Sequence, residues 1–334
     1  MGVNLTPIIL KKEIKLSDLR GKVLAVDGNA ELYQFLALIR MADGTPLKDS
    51  RGNITSHLVG LMYRATRLIS EYGIKLIFVF DGEPPSLKKE EIERRHEVRE
   101  RFIKEYEEAK AAGDIAAAFA KSVMTSRLTQ SMLEDAKRLL RLLGIPYVQA
   151  PGEGEAQAAF MVREKRDAWA VGSKDYDSLL FGAPRLVRFI TISGREFLPS
   201  KGKFRPLRPE IIETHKMLSH YGISLDQLID LAILIGTDFN TGIRGIGPKT
   251  ALKLIKKHEN IENLPQDIRS KVSRNYQAVR EIYHYPLTTE NYDIRYRTLD
   301  EDGLYEFLCR ERDFSTEKVE MVAKRMKAVQ SISE

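Results

Sequence analysis

Residues 22–28 read KVLAVDG and residues 75–82 read KLIFVFDG. Each is a short, fully apolar run that ends in Asp-Gly. Between them, residues 57–72 read as an amphipathic helix, with Leu58, Leu61, Met62, Ala65, Leu68 and Ile69 on one face. Strand, helix and strand in that order predict a parallel sheet with both faces covered. Acids at the exits of buried strands lie at the rim of such a sheet, where α/β folds bind ligands.

The same pattern of apolar run and acid recurs downstream in GIPYVQAPGEGEA (144–156), DAWAVGSKDYDSLL (167–180) and LAILIGTDFN (231–240). Seven carboxylates follow from these segments: Asp27, Asp81, Glu153, Glu155, Asp175, Asp177 and Asp238. Acids two apart in extended or turn backbone face one side, so each close pair is expected to serve one cluster. A lone acid after a strand is well explained as a helix cap. Seven at one rim would repel one another unless cations held them. Hard oxygen ligands without Cys or His point to Mg²⁺ or Mn²⁺ rather than zinc. Two such ions can activate water and steady a leaving oxygen, which is what phosphodiester hydrolysis requires. No Ser/His pair offers an alternative nucleophile.

The chain has 334 residues, 43% hydrophobic, with 53 basic and 47 acidic side chains and a formal charge of +6. If the acids gather at one site, the remaining surface is more basic than that sum implies, which suits a polyanionic partner. Cys309 is the single cysteine, so no internal disulfide or cysteine-based zinc site can form. No apolar run approaches the roughly 18 residues of a membrane span, and an intracellular, cytoplasmic protein is expected. Gly2 followed by Thr6 fits an acylation pattern superficially, but a glycine there also serves close chain packing.

Residues 28–40 read as a helix and 41–56 as a polar loop. The segment 83–127 has dense mixed charge and too few apolar positions for a core face. It is expected to be a projecting arm or a disordered insert, and its length favours a functional loop. If 86–101 is helical, Lys88 and Arg95 share a face, where they can steady a phosphate. Tyr33, two helical turns after Asp27, is either a base-stacking platform or a core tyrosine. A helix over 128–143 stops at Gly144, and strands follow at 145–149 and 168–172. Segments 185–192 and 195–198 look like a hairpin of edge strands, with helices at 209–221 and 225–236. Residues 242–258, GIRGIGPKTALKLIKKH, place Gly245 and Gly247 before Pro248 and Lys249. That arrangement suits a turn whose N–H groups approach a phosphate at a helix N-terminus. Lys249, Lys253, Lys256 and Lys257 add charge, and such contacts position nucleic acid without reading its sequence.

The ordered motifs VDGNAELYQFL, DGTPLKDSRGNITSHLVGL, IFVFDGEPP, QAPGEGEAQAA, SKDYDSLLFGAPRLVR, ILIGTDFNTGIRGIGPKTAL and FLCRERDFS resemble the archaeal flap endonucleases of the structure-specific 5′ nuclease superfamily. The resemblance covers nearly the whole chain. It implies an α/β fold: a mostly parallel twisted sheet flanked by helices in a single 5′ nuclease domain over 1–334. Within it would lie an N-terminal nuclease region (1–105), a helical arch (83–127), an internal region (128–258) with a helix–two-turn–helix at 225–258, and a C-terminal helical region (259–334). The seven acids would be metal ligands for two Mg²⁺ ions, with Mn²⁺ able to substitute. Lys88 and Arg95 would be catalytic beside Asp81 and Glu153, and Tyr33 would stack a base. The region of Arg40 and Thr55 would receive a one-nucleotide 3′ flap, and K⁺ would assist the helix–two-turn–helix.

Cleavage at the base of 5′ flaps, with 5′→3′ exonuclease action in DNA replication and repair, is the implied function. The alternatives are a bubble or junction nuclease of the same superfamily and a non-catalytic DNA-binding relative. A monomer acting on flap DNA is expected. Family members also carry a tail with a Gln, an aliphatic residue and two aromatics that docks on a sliding clamp. The residues AKRMKAVQSISE lack that aromatic pair, so clamp partnership rests on the resemblance alone. Asp27-Gly28-Asn29, where Asp-Ala is more usual, and Lys174 beside Asp175 depart from the family pattern without removing a ligand.

Overall fold

The computed structural model describes residues 2–191, 194–198 and 203–333; side chains are described outside 192–206 and 330–334. The sheet forms from β1 (Lys12–Glu13), β2 (Val23–Asp27), β3 (Lys75–Phe80), β4 (Tyr147–Gln149), β5 (Ala170–Gly172), β6 (Arg185–Arg188) and β9 (Glu210–Glu213), in the order β1-β9-β6-β5-β2-β3-β4. The pairs β2–β3, β3–β4, β2–β5 and β5–β6 are parallel, while β9 runs antiparallel to β6 and β1. From β2 the chain steps outward through β3 to β4, then returns to the other side of β2 with β5. The order therefore reverses between β2 and β5, and the carboxyl ends of those strands frame a crevice.

The strand side chains alternate between two cores. Ala25, Ile77 and Val79 join one apolar layer, and Leu24, Val26, Leu76, Phe78 and Phe80 join the other. The second layer is closed by α1 (Gly28–Leu38), by α2 (Ser56–Gly60) continuing through a π-helical turn (Leu61–Ala65) into α3 (Thr66–Ser70), and by α6 (Gln130–Leu142). Every residue of the apolar face read over 57–72 is buried. The first layer is closed by α7 (Gly154–Arg163), α10 (Leu225–Ile235), α11 (Pro248–His258) and α13 (Tyr276–His284). Further helices are α8 (Asp177–Leu180), α9 (Thr214–Tyr221), α12 (Gln266–Arg269), α14 (Glu301–Tyr305) and α15 (Thr316–Ser333), the last running beside α3.

The charged segment forms two packed helices, α4 (Lys89–Ala111) and α5 (Ile115–Ser122). No residue of α4 is buried, in keeping with its sparse apolar positions. Both spans are helical, the form the arm alternative calls for. Its far end is fastened to the loop after α1, where Lys110 lies 3.3 Å from Asp43 and from the Thr45 hydroxyl.

Two local expectations are corrected. Residues 185–188 and 194–198 do not pair with each other. β6 enters the main sheet, and β7 (Gly194–Leu198) pairs antiparallel with β8 (Lys203–Leu207) in a separate ribbon. The helix expected over 209–221 begins at Thr214, because Glu210–Glu213 alternates buried and half-buried residues along a strand on β6. Period-2 burial there overrides the helical reading.

Candidate active site

The seven acids reach the crevice from the ends of strands and helices, Asp175 from the turn between β5 and α8, where its N–H donates to the Ser173 hydroxyl at 3.2 Å. Asp27 ends β2 and caps α1, its Oδ1 accepting from Ala30 N–H at 2.9 Å. Asp81 follows β3, and its Oδ1 accepts from Gly154 N–H at 2.7 Å. Glu153 occupies the N-cap position of α7, Glu155 lies in its first turn, and Asp177 opens α8. Helix N-termini thus point into the crevice, where their partial positive charge favours carboxylates. Asp238 follows α10 by three residues.

The acids interact as one set. Burial, and then the charge of Asp81, push the Asp27 carboxyl well above its usual range. Asp177 is raised by burial and then by Asp238 and Asp175. Glu155 is raised by burial and then by Asp177 and Asp27. Asp81 and Glu153 are also raised by burial, with Lys88 pulling each back. The members of the Glu153/Glu155 pair face different parts of the ring. Glu153 meets Lys88, Asp81 and Asp238, whereas Glu155 accepts from the Ser173 hydroxyl at 3.1 Å, which also lies 3.4 Å from Asp27.

Lys88 and Arg95 arrive from the arm. Lys88 is ion-paired with Glu153 and lies 3.5 Å from Asp238. Arg95 donates to both oxygens of Asp238 at 2.7 Å, and Glu91 holds its Nε at 2.7 Å. Burial works against the charge on Lys88, but Glu153 and Asp238 outweigh it and hold the lysine protonated. These two cations balance only part of the acidic ring. Among the described residues, no three acids yet converge closely enough to hold an ion. The donor set nevertheless fits hard divalent cations: all oxygen, largely buried and short of positive charge.

Other residues in and around the crevice carry no obvious signal in sequence. Glu31, one turn along α1 from Asp27, is buried and accepts from the Thr191 hydroxyl. Burial lifts its carboxyl to about 7 against the pull of that hydroxyl. Asn29 Oδ1 accepts from Asp81 N–H at 3.2 Å. A side chain on Gly28 would place its Cβ 2.7 Å from the Phe80 ring, so the unusual Gly28-Asn29 pair is a local fit. Gly2 packs against the site too. A Cβ there would lie 2.2 Å from Asp177 Oδ2, and Val3 N–H donates to Asp177 Oδ1 at 2.9 Å.

The remaining expected residues fall in three places. Tyr33 is 40% exposed on α1, which excludes the core alternative. Arg40 is spent on structure, donating to Leu36 and Gly44 carbonyls and to the Ser126 hydroxyl at 2.8–2.9 Å. Thr55 is buried just before α2, with its N–H on Leu47 O at 2.8 Å. The lobe that holds both is tied together by Ser56, which bonds Leu47 N–H and Ile39 O. Gly245 adopts φ +87, a conformation that favours glycine, and Gly247 occupies the N-cap position of α11 with open space above its Cα. Lys249 and Lys253 are exposed on α11.

A parallel sheet with acids at its switch point, met by Lys88 and Arg95 from a helical arm of mixed charge and flanked by a glycine hairpin, defines a nuclease of the XPG class. Residues 1–102 match the XPG N-terminal domain and residues 144–238 the XPG I-region. The chain is 48% identical over 328 residues to flap endonuclease 1 of Methanosarcina acetivorans, covering 98% of this chain and 96% of that one. It is 49% identical over 332 residues to flap endonuclease 1 of Hyperthermus butylicus, with 98% and 94% covered. The solved flap endonuclease-1 from Methanococcus jannaschii superposes over the full length of both chains with a TM-score of 0.78 at 38% identity. The catalytic core of Rad2 in complex with DNA substrate shares the fold, with a TM-score of 0.69 at 22% identity over 96% of this chain and 97% of that one. The chain belongs to the flap endonuclease 1 family of metal-dependent nucleases.

Proposed function

We propose that this protein hydrolyses DNA at the base of 5′ flaps, and trims 5′ ends, using two Mg²⁺ ions held by Asp27, Asp81, Glu153, Glu155, Asp175, Asp177 and Asp238. The observation that carries the reading is the mutual influence of acids from separate segments at one switch point, with Lys88 and Arg95 delivered into the same ring. When bound, the divalent ions activate water and stabilise the leaving oxygen. Mn²⁺, with similar oxygen preferences, substitutes.

The chain's own groups do the positioning. Lys88 and Arg95 turn from Glu153 and Asp238 toward the scissile phosphate, whose charge rises in the transition state. Tyr33 offers an exposed ring to an adjacent base. The open glycine turn and lysines of α11 hold duplex phosphates without reading sequence. The arm formed by α4 and α5 suits a single-stranded 5′ end, which favours flaps over closed junctions.

Asp81→Ala tests this on a double-flap DNA with and without Mg²⁺. Cutting is expected to vanish while flap binding persists; continued cleavage by the variant in Mg²⁺ sinks the assignment.

A further inference from the structure

Tyr283, on α13, is 2% exposed and none of the sequence motifs includes it. Its ring packs against Phe181 (centroids 4.9 Å apart) and edge-on against Phe239 (5.5 Å). Phe181 closes α8, which opens with Asp177, and Phe239 follows Asp238. The tyrosine therefore packs against an aromatic ring from each of the two segments that carry Asp177 and Asp238. Its hydroxyl is buried and has no protein partner within hydrogen-bonding distance.

Burial first, and then the negative charges of Asp177, Asp238 and Glu155, hold its proton on far above the usual phenol range. Thr237 counters that rise by more than Asp238 or Glu155 adds to it, yet lies outside hydrogen-bond geometry; its hydroxyl donates to Asn240 Oδ1 at 2.8 Å and accepts from Phe239 N–H at 3.0 Å. An unpaired buried hydroxyl is costly and calls for a reason. Asp238 already accepts from Arg95 on both oxygens. Asp177 uses Oδ1 for Val3 N–H, and among the described residues no hydrogen bond reaches its Oδ2.

We propose that Tyr283 is a positioning residue of the cation site, whose hydroxyl donates to Asp177 Oδ2 once the carboxylates draw together around divalent ions. The inference rests on the cation reading under Proposed function. A Tyr O–H donor behind a ligand carboxylate fixes which oxygen faces the ion, as hydrogen-bonded partners of metal ligands commonly do. In the metal-free protein the same hydroxyl is a liability. Affinity for the cation and stability without it should therefore move in opposite directions.

The test is Tyr283→Phe in the full chain without DNA, read by Mn²⁺ titration with electron paramagnetic resonance of the free ion and by melting with and without Mn²⁺. The variant should melt at or above wild type when metal-free, bind Mn²⁺ about tenfold more weakly, and gain less from saturating Mn²⁺. Tyr276→Phe, which removes a hydroxyl on the same helix bonded to Glu262 at 3.1 Å, should bind Mn²⁺ like wild type. Mn²⁺ affinity within twofold of wild type in Tyr283→Phe overturns the proposal. A clearly lower metal-free melting point also does, and so does an equal loss of affinity in Tyr276→Phe. If the wild-type protein itself binds no Mn²⁺, the cation reading falls and takes this one with it.

Discussion

His57 opens a direct test of how this core responds to acid. It lies in α2, is 0% exposed, and neither ring nitrogen has a hydrogen-bond partner. Burial, and then the charge of Arg312, lower its pKa from 6.5 to about 3. The folded state thus binds fewer protons than the unfolded chain below pH 6.5. The stability this histidine permits is complete above pH 6.5 and is lost as pH falls toward 3. At pH 4.5 the loss is about 1.36 × (6.5 − 4.5), or about 3 kcal/mol. An unfolding entropy of about 2.1 cal/mol/K per residue over 334 residues is about 0.7 kcal/mol/K, so the melting point should drop by about 4 K from this group alone. Other acids titrate over the same range, so the quantity to measure is the difference from His57→Leu, which has similar volume and no charge. Calorimetric melting at pH 7.5 and pH 4.5 should show the variant gaining about 4 K on wild type as the pH falls. A gap that stays constant between the two pH values would refute the reasoning.

Two further predictions concern the site and its packing. Lys88→Met removes the cation paired with Glu153 and near Asp238; single-turnover cleavage should fall about 10²-fold, while Mn²⁺ binding to the DNA-free protein tightens because a competitor is gone, and weaker Mn²⁺ binding would count against this. Gly28→Ala forces a methyl to within 2.7 Å of Phe80 and should destabilise by about 1–3 kcal/mol in urea melts; Phe80→Leu should recover part of that in a double-mutant cycle, and no coupling between the two would clear the ring of blame.

The parallel core was legible because its signal is local. VLAV and LIFVF are apolar at consecutive positions, which only strands buried on both faces require. The apolar face of α2 and α3 repeats at helical spacing, and Gly144, at φ +71, ended the helix where its position predicts. The errors came where the decisive partner lies far away in sequence. Glu210–Glu213 is a strand because β6 and β1 flank it, and both partners are distant in the chain. The arm was ambiguous for a related reason. A helix with no buried residue is held by its neighbour α5 and by end contacts such as Lys110 with Asp43, neither of which periodicity can express.

The site divides along the same line. Acids at strand exits could be read singly, because strand and exit are adjacent in the chain. What surrounds them could not. Glu31 looks like an ordinary polar residue in a helix until Thr191, 160 residues away, is seen to bond it. Tyr283 reads as one more aromatic at helical spacing, and only the tertiary packing sets its ring on Phe181 and Phe239, from the segments of Asp177 and Asp238. The departures from the family pattern make the same point from the other side. Asn29 is unusual as a letter, yet it fastens the backbone of Asp81 across 52 residues. Lys174, beside Asp175, pulls down the raised pKa of buried Glu31 together with Arg64, so a base and an acid far apart in the chain offset each other near Asp27. The chemistry of a charged crevice is therefore set by residues that meet only after folding, while its location is set by residues that are neighbours before it.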